Sequence, residues 1–226
     1  MKKSQLFAAV AAMALVSVSL TSTGHASIVV TEVHPSGSGL SSYGSDWFEL
    51  TNTGSSAVDI AGWAVDDSSA SFLTARALRG VTSLPAGSSA VFMESNADGT
   101  NDPTKIADFL DAWFGSNVPA GFLIGAYGGA GIGLSTGGDA INIFDGSGTV
   151  ITSVEFGAST DRVTFDNAAG ATGLISTLSE IGVNGAFASL TDGEIGSPGV
   201  IAAVPEPTTL GLLAVGGLMA LRRRRV

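Results

Sequence analysis

The sequence predicts an all-β protein, a sandwich or barrel, interrupted by one α-helix. Three observations lead there. Short runs alternate apolar and polar residues, as half-buried strands do. Turns rich in Gly, Ser and Asp separate these runs at near-regular spacing, the rhythm of a sandwich or barrel. One segment alone carries its apolar residues at helical spacing.

The elements follow in chain order. Residues 27–35, SIVVTEVHP, alternate around Ile28, Val30 and Glu32 and stop at Pro35. Residues 46–52, DWFELTN, set Trp47, Glu49 and Thr51 on one face and Phe48 and Leu50 on the other. Residues 57–67, AVDIAGWAVDD, read as two short strands bent at Ala61-Gly62. Residues 84–95, LPAGSSAVFMES, are a turn followed by a strand. The pattern then breaks in NDPTKIADFLDAWFG, residues 101–115. Ile106, Phe109, Leu110, Trp113 and Phe114 form one apolar helical face. Asp102 suits the N-cap, Pro103 the first helical position and Gly115 the stop. Such a helix is expected to plug one end or one face of the sandwich. The glycine-dense residues 125–139 fail the dinucleotide-binding spacing, because Leu134 stands where a third Gly is needed, and they contain no phosphate-binding lysine. They read as a loop feeding a strand. Residues 139–157 form two strands joined by Asp145-Gly146-Ser147-Gly148, a hairpin signal.

Both ends of the chain read as targeting segments. Lys2 and Lys3 precede an apolar run from Leu6 to Leu20, and Gly24 and Ala26 place small residues before Ser27. This is the pattern of a secretory signal helix, residues 1–26, cleaved between Ala26 and Ser27. At the other end, residues 201–207 are a linker containing Pro205, Glu206 and Pro207. Residues 208–221 form an apolar stretch, and residues 222–226 carry Arg222, Arg223, Arg224 and Arg225. The apolar stretch is shorter than the roughly 20 residues of a comfortable bilayer span. It reads as a short transmembrane helix in the inner membrane, pinned by the arginines on the cytoplasmic side.

Residues 27–200 remain as one domain. Across residues 27–204 the basic residues are Arg76, Arg79, Lys105 and Arg162, against nineteen acidic ones, a net charge of −15. A surface that acidic repels phosphate backbones, which argues against nucleic acid as a partner. There is no cysteine, so disulfides, thiol catalysis and Cys-ligated metals are excluded.

The chemistry available is thin. With His25 removed in the signal segment, His34 is the remaining histidine, and it reads as a rim residue at a strand end. No G-x-S-x-G segment supplies a nucleophile. Asp66-Asp67 and Asp46/Glu49 are paired carboxylates, but neither spacing puts both members on one strand face. Glu94, Asn96, Asp98 and Gly99 begin the phase of a calcium loop, which fails at Lys105 where a bidentate Glu is needed. Calcium at Glu94, Asn96 and Asp98 is the one candidate cofactor site.

Five segments taken together resemble the lamin-tail domain family: IVVTEVHP, DWFELTNTGSSAVDIAGWAVDD, LPAGSSAVF, LSTGGDAINIFDGSGTVI and GEIGSPG. They span about residues 28–199, with residues 95–130 standing as an insertion between strands. The resemblance implies an immunoglobulin-like β-sandwich with one inserted α-helix. Trp47 or Phe48, Leu50, Ile60 and Trp63 would supply its core, and Asn52-Thr53-Gly54 a strand-ending turn. The family carries no shared catalytic residues, so no catalytic or cofactor-binding residue is assigned. The tail, with Pro205-Glu206-Pro207, its apolar stretch and its four arginines, resembles the PEP-CTERM sorting signal. That resemblance implies recognition and cleavage by an exosortase in a Gram-negative bacterium that makes extracellular polysaccharide. The expectation is an exported protein, transiently in the inner membrane and then at the cell surface or in the extracellular matrix. It is expected to be structural or adhesive and polysaccharide-associated, and not an enzyme. A carbohydrate- or calcium-binding module is the alternative, and an envelope hydrolase the more distant one.

Overall fold

The computed structural model describes residues 28–96 and 102–201. The expected signal segment with the Ala26–Ser27 junction, the sorting tail, and Asp98 of the calcium candidate lie outside the described residues. Among the described residues no helix is long and apolar enough to cross a membrane.

The chain runs through β1 (Ile28–His34), α1 (Gly37–Leu40), β2 (Trp47–Asn52), β3 (Val58–Asp59), β4 (Ala64–Asp66), β5 (Arg76–Ala77), β6 (Ser83–Leu84) and β7 (Ser89–Ser95). It continues through α2 (Pro103–Phe114), β8 (Leu123–Gly128), β9 (Asp139–Phe144), β10 (Val150–Phe156), β11 (Phe165–Asp166), β12 (Gly173–Ile175), β13 (Phe187–Ala188) and β14 (Ile195–Gly196). Two five-stranded sheets form, β11-β1-β2-β7-β8 and β12-β10-β9-β4-β5. Val30, Phe48, Leu50 and Phe92 from the first sheet meet Val65, Ile141, Ile143, Val154 and Phe156 from the second in one core. Ile60 and Trp63 join that core, as the sequence suggests. The all-β sandwich with one long helix is therefore the observed architecture.

Three features differ from the sequence reading. First, the alternation of β1 does not run through. The register against β2 shifts between Val30 and Glu32, leaving Thr31 as an extra residue. A one-residue bulge reverses the facing of everything after it. Ile28, Val30 and Val33 enter the core. Glu32 and His34 are turned to the outer face of the sheet, apart from Ile28 and Val30.

Second, the helical segment is a crossover. β7 and β8 pair in parallel. Parallel neighbours cannot be joined by a tight turn, and the usual link is a helix. α2 is that link, with the caps read from the sequence. The Asp102 side chain accepts from the Thr104 and Lys105 N–H groups, Pro103 sits in the first turn, and Gly115 ends the helix at φ +55°.

Third, the outer face of the first sheet is itself covered. Phe109, Ala112, Trp113 and Phe114 of α2 pack on Trp47, Val91 and Met93. Trp47 meets Phe109 edge-on at 5.7 Å and Trp113 at 5.9 Å. Trp47 and Phe48 are thus both core residues, in two different cores. The remainder of that face lies under residues 187–201. Leu190 and Thr191 N–H groups bond the Ala112 carbonyl near the end of α2, where helix carbonyls lack internal partners. Every residue of β2 is buried as a result.

Because α2 shares a core with the sheet, Phe109→Ala should destabilise the whole domain by about 3–5 kcal/mol. Urea denaturation checks this. A loss below about 1 kcal/mol would mean that the helix is an appendage to the cooperative unit.

Candidate functional site

The second layer over the first sheet divides in two. The α2 half is apolar. The other half is polar and holds Glu32 and His34 from β1, Glu49 and Thr51 from β2, and Ser89 from β7. All five are buried.

Glu32 and Glu49 are register partners across β1 and β2. Each carboxylate receives a backbone N–H from the covering segment. Ser197 N–H donates to Glu32 Oε1 at 2.7 Å, and Gly199 N–H to Glu49 Oε2 at 2.6 Å. Glu32 also accepts from the Thr164 hydroxyl at 2.6 Å and from the Ser197 hydroxyl at 3.3 Å. Glu49 accepts from the hydroxyls of Thr31 at 2.8 Å and Ser89 at 3.0 Å. Gly196 is needed where the chain crosses Glu32, because a Cβ there would lie 2.6 Å from Glu32 Oε1. Beside Glu49 is a small, partly open space of about 10 Å³, lined by Thr31, Thr51, Asn184 and Ser197 among others. It is about the size of one water.

Burial, then the charge of Glu49, pushes the Glu32 carboxyl up to about 8. Burial pushes Glu49 up to about 7, against the hydrogen bonds from Gly199, Thr31 and Ser89 that favour its ionised form. Asp166 of β11 adds a further like charge at Glu32. Neither carboxylate of the pair meets a lysine or arginine among the described residues, and His34 contacts Glu194 instead.

His34 is not the rim residue expected from the sequence. It is fully buried, because the bulge at Thr31 turns it beneath the covering segment. Its Nε2 lies 2.8 Å from Glu194 Oε1. Tyr43 donates its hydroxyl to both oxygens of Glu194, at 3.0 and 2.9 Å, and receives the Trp47 Nε1–H at 3.0 Å. Burial, then the Glu194 charge, raises the Tyr43 phenol well above its ordinary range. Ser36 Oγ lies 3.4 Å from His34 Nδ1. The order Ser36–His34–Glu194 has the sequence of roles of a hydrolytic triad. All three side chains are buried, and the Ser36 contact is too long for a firm hydrogen bond. Packed this way, the trio is an anchor for the covering segment.

The paired carboxylates do not converge. Asp66 is buried and accepts from Ser69 Oγ at 2.5 Å, Ser71 N–H at 2.7 Å and Thr74 Oγ1 at 3.1 Å, which shapes the turn after β4. Asp67 caps Ser69 N–H at 2.8 Å in the same turn. Asp46 is buried at the start of β2, and Glu49 lies under the covering segment.

Of the calcium candidate, Glu94 is half-buried at the end of β7, and burial raises its carboxyl against the opposing charge of Lys105. Gly129 passes so close over Glu94 that a Cβ would overlap its carboxylate, which accounts for one glycine of that loop. Asn96 closes the described part of the segment. Among the described residues no group of three or more His, Asp and Glu side chains is placed to hold a metal ion.

The sequence missed Glu32, Glu49 and Glu194 as a set. The signal was there in Glu49 between Phe48 and Leu50, and in the glycines flanking Ser197.

The raised carboxyls give a signed prediction. Their folded-state values lie above the ordinary 4.5, so the folded form keeps protons that the unfolded chain has lost. The stability they contribute is full below about pH 4.5 and is lost as the pH rises through 7 to 8. Unfolding free energy from denaturant titrations should therefore fall between about pH 5 and pH 8, by up to about 1.4 kcal/mol per pH unit for each retained proton. Stability that is flat or rising over that window would contradict these values.

The Lamin Tail Domain family model matches residues 21–158, and the PEP-CTERM protein-sorting motif matches residues 203–225. The first match covers β1 through β10 and ends before the GEIGSPG segment. Thr164, Glu194, Ser197 and Gly199 thus lie beyond it. No curated protein and no solved structure matches the chain.

Proposed function

The chain belongs to the lamin tail domain family and ends in a PEP-CTERM sorting motif, and from that premise we propose a structural or adhesive protein of the cell surface or extracellular matrix. The sorting motif makes it an exosortase-processed protein exported to the cell envelope of a Gram-negative bacterium. Its retention with extracellular polysaccharide, its signal peptide and its transient stay in the inner membrane belong to the proposal.

One observation carries the non-catalytic reading. The carboxylates and the histidine that could do chemistry are spent inside the fold, under residues 187–201. What remains outside is an acidic shell on a sandwich buried on both faces of one sheet, suited to solubility and passive presentation. Calcium at Glu94, Asn96 and Asp98 remains part of the second reading.

That second reading, a carbohydrate-binding module, has a specific location. A groove of about 270 Å³ runs between β11 and β12, lined by Asp166, Asn167, Thr177 and Asn184, with Leu174 as an apolar wall; the side chains of Asp166 and Asn167 are already hydrogen-bonded within the fold. No aromatic side chain lines it. Sugar-stacking surface is therefore missing, and the structural reading is preferred.

Two experiments test these readings. Replacing Glu206 by Ala should leave an unprocessed form in the membrane fraction, while normal surface release of that variant would refute sorting through the tail. Co-sedimentation with the producer's own polysaccharide, with and without calcium, separates the two roles of the domain. Saturable binding that a Thr177→Ala change weakens while the fold is kept would favour the binding module. Retention without saturation, or none at all, would leave a structural role.

A further inference from the structure

The segment that leads into the sorting tail is fastened at its last point by the glutamate pair. Residues 189–195 are held by main-chain bonds that do not titrate, together with the contacts of Glu194 to His34 and Tyr43. Leu190 N–H bonds the Ala112 carbonyl at 2.8 Å, Ile195 N–H the Arg162 carbonyl at 2.8 Å, and Thr164 N–H the Ile195 carbonyl at 3.0 Å. The Arg162 guanidinium donates to the Asp192 carbonyl. Beyond Ile195 the fastening changes. The main-chain N–H groups of Ser197 and Gly199 go to Glu32 and Glu49. Val200 and Ile201, the next residues, are each 38% exposed, with Val200 lying against Gly185. The sorting motif begins two residues later, at 203.

We propose that residues 196–201 form a proton-held latch: with at least one proton on the Glu32–Glu49 pair the segment is clamped to the sheet, and loss of the last proton releases it. The geometry sets the response. The two carboxyls face each other across β1 and β2 and are buried. The groups around them are Thr31 and the His34–Glu194 pair on the β1 side, Thr51 on β2, Ser89 on β7, Asp166 on β11, Thr164 before β11, and Ser197 and Gly199 in the latch itself. The charged ones nearest the pair are carboxylates, and the single cationic candidate, His34, is engaged by Glu194. A second negative charge there has no lysine or arginine beside it to offset it, so separation of the layers relieves it. At the start of the latch Gly196 pairs with Phe187 of β13, and within it the polar ties to the sheet are these two N–H bonds and the Ser197 hydroxyl, all of them on the glutamate pair. Release of the latch frees six residues, which lengthens the tether ahead of the sorting motif by up to about 20 Å. That consequence rests on reading the tail as a sorting signal, whereas the latch itself does not.

Hydrogen–deuterium exchange with mass spectrometry on the full chain in detergent tests the latch. Uptake in residues 196–201 is corrected for the intrinsic pH dependence and compared with β9 as an internal control. Protection of the latch should fall about tenfold or more between about pH 5.5 and pH 9, with β9 unchanged. Glu32→Gln, which keeps an acceptor without a charge, should keep the latch protected at the higher pH. Glu49→Gln should do the same, and serves if the first variant does not fold. Equal protection at both pH values, or Gln variants that open like the parent, would overturn the latch. So would calcium restoring protection in the parent at high pH, because the pair would then be a cation site. The sorting reading fails separately, through normal processing of the Glu206→Ala variant.

Discussion

Two carboxyl groups facing each other inside a protein must each find hydrogen bonds, and at least one must give up its charge. Glu32 and Glu49 impose that condition on the outer face of the first sheet, and much of the molecule is arranged to meet it. The bulge at Thr31 turns Glu32 outward and leaves the Thr31 hydroxyl within 2.8 Å of Glu49. The segment before β11 places Thr164 against Glu32, and Ser179 hydrogen-bonds Thr164 in turn at 2.6 Å. The last described residues cross the pair with their N–H groups aimed at it. Ordinary strand pairing would leave those N–H groups without partners, so the carboxylates and the covering segment satisfy each other.

The apolar half of the same face solves a different problem. Parallel pairing of β7 with β8 demands a long crossover, and a crossover helix must bury a face. The aromatic residues of α2 find that surface on Trp47, Val91 and Met93. Trp47 joins the two halves. Its ring packs on Phe109 and Trp113, and its indole N–H reaches Tyr43, which holds Glu194. One side of the sandwich is thus a three-layer structure, apolar at one end and hydrogen-bonded at the other.

Much of this was legible in the sequence where a local rule governs. The β9–β10 hairpin, the split of Phe48 and Leu50 from Trp47, Glu49 and Thr51, and the caps of α2 all follow from spacing and turn chemistry. The parity of β1 was not legible, because a bulge leaves the composition of a strand unchanged while reversing its facing. Nor was the covering segment, since β13 and β14 are two residues each and carry no periodicity. The polar residues looked like surface residues for the same reason. Glu32, His34 and Glu49 are buried by a segment more than 140 residues away in sequence, a contact no local pattern announces.

In this lamin tail domain Glu32, His34, Glu49 and Glu194 are spent on its own architecture, and the proposed latch is the stretch of chain that leads from that architecture to the sorting motif. The account depends on the buried pair holding a proton near neutral pH. Carbon-13 NMR of the protein labelled at glutamate side-chain carboxyls measures this directly. Two resonances, absent in turn from Glu32→Gln and Glu49→Gln, should titrate as a coupled pair well above the ordinary glutamate range. If both carboxyls were already ionised at about pH 5, in the ordinary glutamate range, the account would be contradicted.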